Sequence, residues 1–149
     1  MTADPRQVPT LPVLVEIDLA TGRSARVTLF LSITSAQREG PETLDEFFNT
    51  PRRLLPVAEG DKRELVSRDA IVSARVMSEI APSSEAAVAP GVDMIRAQLT
   101  NGKFVDGAVK HAQETRVSDF FNSEPEFFAV EDSGGIIYVN KRHVVSISM

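Results

Sequence analysis

Few side chains in this chain are of the types that carry out chemistry. Cysteine is absent and histidine occurs twice, at His111 and His143. The lack of cysteine excludes disulfides, thiol nucleophiles and thiolate metal sites. His111 falls late in an expected strand and His143 in a turn, and neither belongs to a serine–carboxylate arrangement, so both are read as solvated or structural. Glu124, Glu126, Glu131 and Asp132 are close in sequence, but their spacing matches no ion-binding loop and fits a solvated face. Gly134-Gly135 lacks the following helix and the lysine–serine pair of a phosphate loop, which leaves a hairpin turn. These observations assign no catalytic residue, no cofactor and no metal site, and the expectation is a protein that is not an enzyme.

The residues left over suggest contact rather than catalysis. Two phenylalanine pairs, Phe47-Phe48 and Phe120-Phe121, are each followed by an asparagine, Asn49 and Asn122. Their rings could stack on bases or anchor a partner, or they could fill a core, which is the expected role. The asparagines suit the end of a short helix. Basic residues stand before the last strand of each half, Arg68 in one and Lys141 with Arg142 in the other. Phe47, Asn49, Arg68, Phe120, Asn122, Lys141 and Arg142 are therefore the candidate contacts for a partner or for RNA.

Those pairs recur because residues 44–76 and 117–149 read as one segment written twice. A shift of 73 positions, without a gap, lays Phe47, Phe48, Asn49, Val57, Val66, Val72 and Ser73 on Phe120, Phe121, Asn122, Val130, Val139, Val145 and Ser146. Upstream, Leu19 to Arg23 aligns with Leu99 to Lys103 once extra residues are allowed between Gly22 and Leu44. A period of this kind indicates two copies of one small domain. Units of about 60 residues are marginal alone, so the halves are expected to pack together or the chain to oligomerise.

Composition narrows the partners. The 149 residues are 42% hydrophobic and carry a net charge of −5, the balance of a soluble globular protein without a basic field for nucleic acid or anionic membrane. Neither half taken separately is basic, which disfavours RNA. No stretch approaches the roughly 20 apolar residues of a membrane span. The N-terminus lacks the features of a signal peptide. A cytoplasmic location is the expectation.

The elements that must position these residues are short strands. Residues 1–12, with three prolines, read as a flexible lead-in. Val15, Ile17 and Leu19 alternate with Glu16 and Asp18, and Val27, Leu29 and Leu31 alternate with Thr28 and Phe30, two half-buried strands about a Thr21-Gly22 turn. Thr43 to Glu46 fits a capping box opening a one-turn helix. A strand pair around Gly60 follows, then a last strand with Val72, Ala74 and Val76 on one face. Residues 78–91 form a Pro/Ala/Ser linker. The second half repeats the order, with Asn101-Gly102 as a hairpin turn and a final strand showing Val145, Ile147 and Met149 on one face. The expectation is a mainly β chain: two tandem small five-stranded barrels, residues 13–77 and 92–149, each with a short helical plug.

Leu99-Thr-Asn-Gly-Lys-Phe-Val-Asp-Gly-Ala-Val109 resembles the first strand pair of the Sm/LSm-like family of SH3-type small barrels, in which two glycines flank the turn and the bent second strand. Ile136 to Ser148 resembles that family's closing strand–turn–strand. The first half keeps Gly22 but has Val27 at the second glycine position. The family's Asp-x-x-x-Asn motif has a shortened echo in Asp119 to Asn122, and its Arg-Gly element is replaced by Asn140-Lys141 and Ser67-Arg68. The resemblance implies five-stranded barrels that assemble edge to edge. The expected function is a non-enzymatic binding or scaffold protein that self-assembles into a homo-oligomer and can take a protein partner. The alternative is an Sm-like single-stranded RNA binder.

Overall fold

The computed structural model describes residues 10–33, 40–77, 91–111, 116–123 and 125–149. Most of the expected linker, most of the Ser35–Pro41 insertion, the start of the lead-in and Glu124 lie outside them. The chain is mainly β. Among the described residues, ten strands form one antiparallel sheet that does not close on itself.

The first half contributes β1 (Thr10–Leu19), β2 (Ser24–Ser32), α1 (Leu44–Phe48), β3 (Leu54–Glu59), β4 (Lys62–Ser67) and β5 (Ile71–Val76). The second contributes β6 (Gly91–Leu99), β7 (Phe104–His111), α2 (Val117–Phe121), β8 (Phe127–Asp132), β9 (Gly135–Asn140) and β10 (Val144–Ser148). A 3-10 turn precedes β5 (Arg68–Ala70) and another precedes β10 (Lys141–His143). Across the sheet the order is β10-β6-β7-β8-β9-β5-β1-β2-β3-β4. Each half thus has its last strand beside its first, and the halves join where β9 pairs with β5, Ser73 opposite Val139 and Ala74 opposite Tyr138.

Local chemistry accounts for most boundaries. Thr43 and Glu46 make the reciprocal capping box, Glu46 N–H donating to Thr43 Oγ1 at 3.2 Å and Thr43 N–H to Glu46 Oε1 at 3.1 Å, which starts α1. Gly22 and Gly102 take positive φ in the first turn of each half, a conformation that costs glycine nothing. β1 begins at Thr10, three residues before the alternation suggests. Pro12 is accommodated because β1 has β2 beside it there but meets β5 only from Val15 onward, so its missing N–H costs no ladder bond. Gly91, expected in the linker, pairs with His111 in β6.

Two hydrophobic cores result. One gathers Val13, Val15, Ile17, Val27, Leu29 and Leu31 with Leu44, Phe47 and Phe48 of α1; the other gathers Ile95, Leu99, Val105, Val109, Val130 and Val139, with Phe120 and Phe121 of α2 packed against it. The cores are not confined to their own halves. Phe127 and Tyr138 of the second half lie in the first core, and Val72 of the first half lies in the second.

Two facial assignments are corrected by a bulge. Ser73 pairs with Asp18 and Ile71 with Leu19, leaving Val72 without a partner residue in β1. Ser146 pairs with Gln98 and Val144 with Leu99, leaving Val145 in the same position in the second half. An extra residue re-aims the side chains around it. Val72 therefore leaves the face of Ala74 for the opposite core, and Val144 with Ile147, not Val145 with Ile147, packs on the second core.

Candidate functional site

The seven candidate contacts separate into two groups. Phe47, Asn49, Arg68 and Arg142 gather around the β5–β9 junction, while Phe120, Asn122 and Lys141 stand together at the α2 end of the second half. Of the four residues that an RNA-binding role would use, Phe120, Asn122 and Lys141 gather around α2, while Arg142 turns to Asp69 and Glu126.

At the junction, Phe47 is fully buried and meets the Phe48 ring edge-on at 5.6 Å. Phe48, equally buried, lies 5.2 Å from both Phe127 and Tyr138, so an aromatic cluster spans the halves. Asn49 follows α1 and turns its amide to the other half: Phe127 N–H donates to its Oδ1 at 2.9 Å, and its Nδ2 donates to Phe127 O at 3.2 Å. Arg68 reaches the Thr50 carbonyl with one nitrogen and Glu126 with another at 3.3 Å. Arg142 lies 3.6 Å from Asp69 and 3.6 Å from Glu126. His143 Nε2–H donates to the Asp69 carbonyl at 2.6 Å, and its other ring nitrogen faces Thr100 Oγ1 at 3.1 Å.

Several junction residues were not anticipated. Arg75 forks onto Asp132 at 3.1 and 2.8 Å, and this guanidinium holds the Asp132 carboxyl below the ordinary carboxylate range despite the opposing effect of burial. Lys103 pairs with Asp18 at 2.8 Å. Burial drives the Tyr138 hydroxyl far above its ordinary value, and the Asp45 carboxylate bonded to it pushes the same way. Asn140 Nδ2, fully buried, donates to Ile71 O at 3.0 Å. The signal that could have found them is a contrast within the repeat: Phe127 and Tyr138 stand where the first half has Leu54 and Leu65, and the larger rings belong to the copy whose β8–β9 pair lies at the junction.

Around α2, Phe120 and Phe121 are half-buried, 5.1 Å apart, with Phe121 5.0 Å from Phe128. Lys141 Nζ donates to the carbonyls of Phe120 at 2.6 Å and Ser123 at 2.7 Å and lies 4.8 Å from the Phe120 ring. Exposed Asn122 donates to Ser118 O at 2.7 Å, just as Asn49 donates to Asp45 O at 2.9 Å.

Two hollows accompany these surfaces. A cleft of about 410 Å³ beside the junction is lined by Asp18, Arg75, Lys103 and Asp132, whose charges are already paired with one another. A more apolar groove of about 440 Å³ lies on the outer side of β3 and β4 among Phe30, Pro56 and Leu65, with the Arg63 guanidinium 5.0 Å from the Phe30 ring. Among the described residues no three histidine or carboxylate side chains converge as metal ligands would. Also among the described residues, no helix is long and apolar enough to cross a membrane. Comparison with protein-family models, with curated proteins and with solved structures gave no match.

Proposed function

We propose that the chain is a non-enzymatic binding and scaffold module: two tandem small barrels of the SH3/Sm type, duplicated from one ancestor, that self-assembles through the two ends of its sheet. The observation that carries this reading is that, among the described residues, the terminal strands β4 and β10 each have a single neighbour in the sheet while exposing large apolar side chains: Leu54 and Leu65 near one end, Val145 and Met149 at the other. Unpaired strand edges are templates for another chain, and natural sheets commonly blunt them with charge, proline or short strands. Exposed Leu65 in the middle of β4 does the opposite.

Single-stranded RNA binding takes second place. The cations it would use are engaged, Lys141 with two backbone carbonyls and Arg142 with Asp69 and Glu126, and the net charge is −5. Sedimentation velocity of the full chain over a hundredfold concentration range tests the favoured reading. A sedimentation coefficient that rises with concentration is expected; one monomeric value throughout would retire self-assembly.

A further inference from the structure

Sliding the junction along the chain by the 73-residue repeat shows what each end lacks. Phe127 is 1% exposed and Tyr138 2%, because both enter the first core; their equivalents Leu54 and Leu65 are 52% and 62% exposed. Val72 is 0% exposed because its bulge aims it into the second core; Val145, at the same bulge in β10, is 59% exposed. Phe48 touches rings of the other half, whereas the ring contacts of its equivalent Phe121 among the described residues lie within its own half. Asn49 bridges to Phe127, whereas Asn122 has the same local bond to its helix and is exposed. Leu54, Leu65 and Val145 are thus exposed counterparts, and Phe121 a half-buried counterpart, of apolar groups that the junction buries.

We infer that the occupant of each end is a second copy of this chain, docked head to tail so that β10 of one molecule lies beside β4 of the next and the β5–β9 junction is repeated between molecules. This rests on the self-assembly reading and specifies its geometry. Leu54 and Leu65 of one molecule then cover Phe121 of its neighbour, Asn122 takes the backbone of Leu54, and Val145 is withdrawn from water. The surfaces that meet are different, so the contact is heterologous and propagates until a ring closes or a filament grows.

Charge makes the repeated contact weaker than the internal one. Where Arg68 meets Glu126 inside the chain, the equivalent residues are Lys141 and Arg53, two cations; where Arg75 forks onto Asp132, they are Ser148 and Glu59. The contact between molecules is accordingly apolar and backbone-driven, and reversible by dilution.

Two end-blocking variants test the geometry. Leu65→Glu disables the β4 end and Val145→Glu the β10 end; both side chains are exposed in the single molecule, so circular dichroism should confirm that each variant folds. By sedimentation velocity each alone should associate at least roughly 30-fold more weakly than the parent chain, the effect of removing an interface hot spot. Mixed in equal amounts, the two should form a 1:1 dimer, because one intact β10 end then meets one intact β4 end. Variants that assemble as the parent does, a single variant that dimerises with itself, or a mixture that stays monomeric would each overturn the head-to-tail contact while leaving self-assembly standing. A parent chain that is monomeric throughout would remove both.

Discussion

The Asn49 side chain satisfies both backbone groups of Phe127, a residue 78 positions away, with its carbonyl taking the N–H at 2.9 Å and its amino group donating to the O at 3.2 Å. One amide thereby replaces two ladder bonds at the start of β8 and fixes where the second half meets α1. Asn49→Ala leaves a part-buried donor and acceptor without their partner. The expected cost is about 1–3 kcal/mol. Asn122→Ala, at the equivalent but exposed position, should fall within about 0.5 kcal/mol of the parent. Urea unfolding of both variants, at a concentration where the chain is monomeric, checks the contrast.

Phe48 and Phe121 make a second matched pair. Phe48 is fully buried between its own core and the rings of Phe127 and Tyr138. Truncation to alanine opens a cavity at the junction, and a loss of about 3–5 kcal/mol is expected. Half-buried Phe121 has less to lose, about 1–2 kcal/mol. Equal losses in thermal or urea unfolding would show that α2 is as enclosed in solution as α1.

These contrasts indicate how much the sequence could reveal. Alternation at Val15, Ile17 and Leu19 marks β1, the Thr43–Glu46 box marks α1, and Asn101-Gly102 marks the β6–β7 turn, because each signal is local. The junction is not local. Nothing in the spacing of Ser73 and Ala74 announces Val139 and Tyr138 as neighbours, and strand pairing between distant segments is decided by packing. Alternation also misplaces Val72 and Val145, since a bulge breaks the period of two without changing composition. The candidate residues were found by type and by repetition. Their division into a buried junction and an exposed end depends on which edge of each half the other half covers.

Acid should weaken the junction. The Arg75 fork lowers the Asp132 carboxyl below its ordinary 3.8 in the folded chain. A depressed folded value gives stability that is fully present above the unfolded value of about 3.9 and lost as pH falls through the folded one. Asp132→Asn removes that component. The stability difference between parent and variant should be constant near neutrality and shrink below about pH 4. A difference that stays level down to pH 2 would show that the fork does not favour the ionised carboxylate in solution.

Gly107 offers the sharpest steric test within the second half. It lies on β7 beside β8, and a Cβ built there would sit inside the van der Waals surface of the Glu131 carbonyl oxygen and 2.7 Å from Val130 Cγ1. Neither can yield easily, because one is backbone and the other is fully buried. The first half carries Val27, a 1%-exposed core residue, at the position aligned with it, so the close approach of β7 to β8 is particular to the second half. Gly107→Ala should therefore cost about 1–3 kcal/mol by overpacking, and Gly107→Val, which imports the first half's residue, more. Val27→Gly is expected to be destabilising for the opposite reason, an emptied core position. Hydrogen exchange followed by peptide would locate the damage: β7 and β8 should lose protection in the Gly107 variants while β1 and β2 keep theirs. Uniform loss across all four strands would mean that the two cores unfold as one unit and that the junction couples them fully.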